Sequence, residues 1–507
     1  MRAILILAHF HITLGTSKIV CCDFPTNKQK LVSLPIVLFS RKCVEKRCMI
    51  HVRKLVSTNS VSFTGLSIWG ILWFAWGENW RWDGLWSRIA IIAVVAWASG
   101  LALQSMTTLP PLLAALLTGI LARNLGYLDM RDFIDIDMFL RKIYPAIILG
   151  KGSLAWDTNY MKENWGQIAA LGAVPWIAEV ATLATCMHFF LGHPWIWGMI
   201  LGTFYASMSG PVVMPNIIRV GTSPRRTRNW PQFVAIAGGT DTALSVGMYG
   251  VLTSFLLSNP SDTDSYRYFR AFASLFVGVA LGITWGTIAG LVPSTRDTYA
   301  VELRVLFVVI GGLFASFATS YVGWGGTAGV AVLACNATAA RHWAKTGWVL
   351  NNNPASTAYR VMWSACEPAL FAFTGTFFVI NSSIPTTLLY GFGILVICLT
   401  VRLGAASLMC WNLTIKEKAF ICTIWSTKSI VEAVLCPTML NILLLRGGTT
   451  QEIRYAEDIV VLTVQEILVT TPLAFVLSKC LGPVLIKDKT YGNGRSNGKC
   501  SETNGKA

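Results

Sequence analysis

From residue 62 to residue 484 the chain is a succession of apolar runs, most of them long enough to cross a bilayer. They fall at about 62–77, 88–105, 109–123, 139–156, 167–190, 194–219, 231–257, 270–293, 302–322, 326–343, 361–380, 386–410, 418–445 and 459–484. A helix needs roughly 20 residues to span a hydrocarbon core about 30 Å thick. Inside that core each backbone N–H and C=O has to be satisfied within its own segment, which leaves only helices for runs of this kind. The fold class that follows is an all-α polytopic membrane protein with about fourteen transmembrane helices. Only 13% of the 507 residues are charged, whereas soluble domains carry about 25%.

An even number of spans puts both ends of the chain on one side. With the ends in the cytosol, the inner loops hold Arg225, Arg226 and Arg228, then Arg341 and Lys345, then Lys416 and Lys418. The outer loops hold Asp262, Asp264 and the sequon at Asn381. Basic residues on the cytosolic face are the usual bias, so both tails are expected there. The net charge of +16 then points to anionic lipid as the partner and excludes nucleic acid. Residues 1–61 read as a basic N-terminal tail, 62–485 as the transmembrane domain, and 486–507 as a disordered Gly/Ser/Asn/Lys-rich tail. Residues 1–20 read equally as a signal sequence or as part of the mature tail. Cys21, Cys22, Cys43 and Cys48 match no zinc-ligand spacing. The cysteines inside apolar runs, such as Cys335 and Cys398, read as packing residues.

Two runs carry helix breakers. The segment from Ser209 to Pro215, SGPVVMP, interrupts the sixth, with Pro211 and Pro215 each removing a donor. The thirteenth contains WSTKS, with Thr427 and Lys428, and then Pro437. Interrupted helices at corresponding places in two halves of a chain are the sequence mark of an inverted-repeat transporter with a site near the midplane.

Charges inside the runs point the same way. The run 231–257 holds one, Asp241, two residues after Gly239. A midplane carboxylate costs about 2.5–3.5 kcal/mol on insertion scales, and such residues face a cavity or a partner. Gly238 and Gly239 permit close approach or local unwinding at that point. Glu179, Arg402, Lys151, Glu367, Lys428, Glu432 and Glu466 are the other interior charges. Opposite charges in a membrane pair, and Glu179 with Arg402 is the expected ion pair across the repeats. It serves either the core alone or the transport site. Lys428 and Glu432, four residues apart, have the spacing to satisfy each other, and Glu466 reads as structural. HExxH, GxSxG and Walker A sequences are absent. GWGGTAG from Gly323 reads as close helix packing. The reading is therefore not an enzyme, with no cofactor and no metal centre.

At this point the residues resemble a known family. The order LPPLLAALLTGILARN (109–124), Glu179 in PWIAEV, LGHPWIWGMILG (191–202), SGPVVMP, AGGTDTALSV (237–246), Arg402 and IKEKAFICTIWSTKSIVEAV (415–434) is similar to that of the animal NHA-type sodium/proton antiporters. The resemblance covers about residues 62–485. It implies fourteen helices, a homodimer, crossed broken helices six and thirteen, and two adjacent carboxylates on helix seven. An ungapped match places those two on Asp241 and Thr242, and a one-residue slip places them on Thr240 and Asp241. The chain thus keeps one carboxylate of the two. Ion or proton binding is expected at Asp241, Thr242 and Thr240. Burial and a nearby guanidinium push the proton affinity of Asp241 in opposite directions.

The function implied is proton-coupled transport of a monovalent ion by alternating access, with Na+ or Li+ exchanged for H+. With the second carboxylate replaced by Thr242, cotransport of H+ and Cl− through the same core is the alternative. A membrane scaffold or regulatory subunit that no longer transports is the reading of another class. The membrane is expected to be the plasma membrane, with an organelle membrane as the alternative.

Overall fold

The structure, a computed structural model, describes residues 65–486 apart from 222–228, 257–262, 295–296, 350–352, 381–383 and 429. Both tails, the Arg225–Arg228 loop, Asp262 and the Asn381 sequon lie outside the described residues. Two compact units divide after Arg81. The described part of the first is a helix over 65–76 (α1) and a 3-10 turn, Gly77–Trp80. Within it the Trp69 and Trp73 rings stack at 5.4 Å.

Every regular element described in the second unit is helical. In chain order these are α2 (Leu85–Met106), α3 (Leu112–Asn124), α4 (Ile134–Ser153), a short α5 (Thr158–Glu163) and α6 (Trp165–Leu191). Next come α7 (Trp195–Tyr205), α8 (Gly210–Gly221), α9 (Trp230–Leu256), α10 (Asp264–Leu291), α11 (Ala300–Val322) and α12 (Thr327–Lys345). The last are α13 (Pro354–Gly375), α14 (Ile384–Met409), α15 (Ile415–Trp425), α16 (Ile430–Arg446) and α17 (Thr450–Leu485). Eight stretches among the described residues are long and apolar enough to cross a membrane, and Trp195–Arg219 and Ile415–Arg446 each count once although each contains an interruption. The helix that carries Asp241, α9, is not one of the eight. Glycine, serine and threonine dilute its apolar residues, and most of its side chains are buried by other helices. A helix packed among helices has no need of an all-apolar surface, because its neighbours and not lipid cover it.

Helix ends follow local chemistry. Thr414 and Glu417 form a reciprocal capping box at the start of α15, and Thr449 with Glu452 does the same for α17. Each satisfies two of the first-turn donors that a helix leaves open. At the other end of α6, Gly192 takes φ 68° and closes the helix through its N–H to Met187. That left-handed conformation is open to glycine at little cost.

Small residues set how near the helices lie. On α10 the glycines at 278, 282, 286 and 290 recur every four residues and so form one face. A Cβ built on Gly282 would fall on the backbone carbonyl of Ala331 in α12, and one on Gly278 would stand 2.7 Å from the carbonyl of Thr327. In the same way Gly250 of α9 meets the backbone of Gly326, just before α12. The GWGGTAG segment therefore does pack closely, and it fixes the height of α9 against its neighbours. Replacing Gly282 by Val should drive α10 from α12 and destabilise the fold by about 1–3 kcal/mol or more, as overpacking does. The check is the thermal midpoint in detergent, which should fall in Gly282→Val and hold in Gly393→Val on α14, where a Cβ meets nothing within 4 Å.

Candidate functional site

Two helices stop in mid-run and restart. Residues 206–209 separate α7 from α8, and residues 426–428, with Ser429 undescribed, precede α16. The first interruption lies one turn earlier than the prolines alone indicate. Pro211 sits in the opening turn of α8, where a missing N–H breaks no intrahelical bond, and Pro215 follows inside that helix. Ser209 and Thr427, with Lys428, lie in the interruptions themselves. The two gaps touch: the Ser209 N–H donates to the Thr427 carbonyl at 2.9 Å.

An interrupted helix exposes carbonyls at one end and N–H groups at the other, and the residues at both interruptions are buried here. Buried charges meet them. The Arg402 guanidinium, from α14, donates Nε to the Trp425 carbonyl at 2.8 Å and Nη1 to the Ala206 carbonyl. Lys428 donates to the Tyr205 carbonyl. Two cations thus cap the carboxyl ends of α7 and α15, where the helix dipole favours positive charge. On the donor side, the Met208 N–H gives a hydrogen bond to Asp241 Oδ1 at 2.9 Å. The Thr471 hydroxyl of α17 donates to the Lys428 carbonyl at 2.5 Å.

The side chains then join one another. Arg402 Nη2 lies 2.8 Å from Asp241 Oδ2, and its Nη1 lies 2.7 Å from Glu179 Oε2. Lys428 Nζ reaches both oxygens of Glu179, at 3.0 and 2.9 Å, and stands 3.6 Å from Glu466 Oε1. Asp241, Arg402, Lys428 and Glu466 are 0% exposed and Glu179 is 1% exposed. With Glu432, also at 0%, the site gathers four buried carboxylates and two cations among the described residues.

Glycines let this assembly close. A Cβ on Gly238 would meet Met208 Sδ at 2.7 Å, and one on Gly239 would strike the Trp156 ring. The helix α9 runs unbroken through both glycines. They give close approach and not the local unwinding that their sequence also allows.

Of the other residues singled out from the sequence, Thr240 and Thr242 flank Asp241 but turn to their own helix. Their hydroxyls donate to the carbonyls of Ile236 and Gly238 at 3.0 and 2.9 Å. Pro211 and Pro215 shape α8 without joining the charge network. Lys151 and Glu367 lie elsewhere, on α4 and α13, in each other's field. The main partner of Lys428 is Glu179 of α6, a contact that spacing along the chain cannot show.

A second buried ion pair escaped the sequence reading. Arg141 Nε lies 2.5 Å from Asp137 Oδ2 on α4, and Arg141 Nη1 also donates to the carbonyls of Ala433 and Val434 at 2.7 and 3.1 Å. The signal was the i,i+4 spacing of Asp137 and Arg141 at the mouth of a run read as beginning at 139. Arg141 and Lys142 line a cavity of about 180 Å³. A neighbouring cavity of about 480 Å³, lined in part by Arg270 and Arg446, shares Met138, Thr253, Ser320, Gly325 and Ile442 with it. No acidic side chain lines either one among the described residues. On α9 the lining reaches Val246, five residues or about 7.5 Å along the axis from Asp241.

Comparison with known proteins places this arrangement. The structure is similar to that of the sodium proton antiporter MjNhaP1 from Methanocaldococcus jannaschii, with a TM-score of 0.64 at 15% identity, covering 76% of this chain and 98% of that one. The two chains thus share one fold. Residues 89–479 match the sodium/hydrogen exchanger transmembrane family, and the chain belongs to that family. Among animal relatives, sodium/hydrogen exchanger 9B2 of Homo sapiens is 28% identical over 439 residues, 84% of this chain and 80% of that protein. The Mus musculus 9B2 protein is 26% identical over 482 residues, 92% of this chain and 84% of its own length.

Proposed function

We propose that the protein is a proton-coupled antiporter of monovalent cations, exchanging Na+ or Li+ for H+ at Asp241 by alternating access. The observation that carries this reading is the placement of Asp241. It is a fully buried carboxylate where two interrupted helices meet, held by one guanidinium and one backbone N–H. Antiport at one site requires a group that binds either the cation or the proton, and that is reached from one side at a time. In this arrangement Arg402 and Met208 occupy the carboxylate and water is excluded. Protonation of Asp241 leaves Arg402 to Glu179 and the two helix-end carbonyls, so the guanidinium keeps its partners in both states. When Asp241 is deprotonated and freed from Arg402, the backbone of the interruptions, Ser209 and Thr427 above all, supplies further oxygen ligands for the cation beside the carboxylate.

The finer architecture belongs to the same proposal. The described helices and helix pairs correspond to fourteen spans in two inverted halves, with α6–α9 equivalent to α14–α17 and the broken pairs crossing. Asp241 on α9 and Glu466 on α17 are counterparts, as are Glu179 on α6 and Arg402 on α14. Residues 62–485 form the transmembrane domain, both tails are cytosolic, two copies form a homodimer, and the plasma membrane is the site of action. Na+ and H+ are the transported ions that the relatives' names carry.

A second reading, cotransport of H+ with Cl−, has two observations in its favour. On the ungapped match to the resembling antiporters Thr242 stands where a second carboxylate is expected, which would make the site one unit less negative. The two neighbouring cavities, the first of which reaches Val246 on α9, are lined by four basic side chains and no acidic one among the described residues, although one of the four, Arg141, is paired with Asp137. Flux through proteoliposomes separates the readings: a pH gradient is imposed and Na+, Li+, K+ and Cl− are offered in turn. Dissipation by Na+ or Li+ supports antiport, dissipation by Cl− supports cotransport, and none by any ion supports a scaffold. The variant Thr242→Asp sharpens the result. A charge about 4 Å away at an effective dielectric near 20 is worth roughly 4 kcal/mol, and about 1.4 kcal/mol already changes a preference tenfold. Thr242→Asp should gain Na+ or Li+ exchange and lose any Cl− coupling, and an unchanged ion profile would remove Thr242 from the selectivity argument.

A further inference from the structure

Glu466 is a buried carboxylate, beside the meeting point of the interruptions, whose state the antiport reading does not use. It is 0% exposed, and neither of its oxygens makes a hydrogen bond among the described residues. The nearest cation is Lys428, at 3.6 Å. An ammonium has three donors. Those of Lys428 already meet both oxygens of Glu179 and the carbonyl of Tyr205. The groups that face Glu466 come from several elements: Glu432 and Cys436 of α16, Glu179 of α6, Tyr205 of α7, and Arg402 and Cys398 of α14. Three carboxylates besides its own thus crowd around two cations when Asp241 is counted. An ionised carboxylate without hydrogen bonds in such a place is far more costly than the neutral acid.

We infer that Glu466 is a second proton-binding site of the transport core, which holds a proton while Lys428 is bound to Glu179 and releases it when Lys428 turns from Glu179 to Glu466. The inference rests on the proposed proton-coupled antiport and adds a second proton to it. The step is a simple acid dissociation. The O–H bond of the Glu466 carboxyl breaks, the proton passes to water of the opened side, and the carboxylate left behind pairs with the ammonium it faces. Lys428 is suited to this because it stands in the interruption itself, where the backbone changes most as the half-helices move. Its carbonyl is tied by Thr471 to the same helix that bears Glu466. A change at the break therefore reaches both groups of the pair.

The experiment uses the full chain in two settings. In proteoliposomes, Na+-driven proton flux is measured against pH for the parent and for Glu466→Gln, which imitates the protonated acid. In detergent, infrared difference spectra of the parent, Glu466→Gln and Asp241→Asn are recorded across the same pH range. Glu466→Gln should still exchange Na+ for H+, with the dependence of flux on proton concentration falling from about the second power to about the first, since two interacting sites titrate as a pair. The parent should show a protonated-carboxyl band that survives in Asp241→Asn and is missing in Glu466→Gln. An unchanged pH profile in Glu466→Gln together with an unchanged carboxyl band would overturn the inference. If Glu466→Gln fails to fold, the parent and Asp241→Asn spectra decide: a carboxyl band kept in Asp241→Asn that titrates with pH supports the site, and no such band overturns it. If the parent carries no Na+-driven proton flux, the antiport reading fails by itself, and the same spectra still test the proton on Glu466.

Discussion

Replacing Arg402 by Ala should cost more stability than any other single truncation where the two interruptions meet. The guanidinium meets two carboxylates and two helix-end carbonyls, all of them buried. Its loss leaves Asp241 with only the Met208 N–H, and leaves the Ala206 and Trp425 carbonyls without that cap. Removing one partner of a buried pair is worth about 3–5 kcal/mol, and each buried polar group left unmet adds roughly 1–3 kcal/mol, with incomplete additivity. At about 2–4 °C per kcal/mol for larger domains, the thermal midpoint in detergent should fall by roughly 10 °C or more. Arg454 on α17 is exposed and serves as the control. Equal midpoints for Arg402→Ala and Arg454→Ala would show that the guanidinium does not hold the broken helices together.

The second large effect is on transport and not on folding. Asp241→Asn keeps the shape and an oxygen that can accept from the Met208 N–H, but it removes the titrating group. Arg402 retains Glu179 and both carbonyls, so the fold should survive with a far smaller shift than Arg402→Ala. Proton-coupled flux should vanish, because no remaining group on α9 binds a proton in this region: the neighbours Thr240 and Thr242 carry hydroxyls bonded to their own helix. Glu466, on α17, cannot replace it, since a cation entering at α9 would find its carboxylate gone.

The sequence shows much of this where the chemistry is local. Run length gives the helices, and proline and glycine mark the first stop to within a turn, whereas the second, at Ser426–Lys428, holds neither and Pro437 lies inside α16. The position of the first stop is less legible, because Pro211 is tolerated in an opening turn and so lies after the break and not in it. Midplane cost singles out Asp241, Glu179 and Arg402, and the distances bring all three together. Long-range partners are another matter. Lys428 and Glu432 have helical spacing, yet Ser426–Lys428 is not helical, so the register on which that pairing depends is lost at the break. The ammonium reaches Glu179, 249 residues away in the chain. Nothing in the spacing of α4 tells that Arg141 caps carbonyls of α16, and nothing in α9 tells that Gly239 faces Trp156. Such contacts arise from how the helices stack, and the stacking is set by small residues whose spacing is visible but whose partners are not.

The central claim is that Asp241 carries the proton exchanged for the cation, and one comparison tests it most directly. Parent protein and Asp241→Asn are reconstituted at equal density after size-exclusion profiles and thermal midpoints have shown both to be folded. A Na+ gradient is then imposed and the internal pH followed. The account predicts proton movement against Na+ in the parent and none above empty liposomes in Asp241→Asn. Exchange by folded Asp241→Asn at the parent's rate would contradict it and place the proton site elsewhere in the chain.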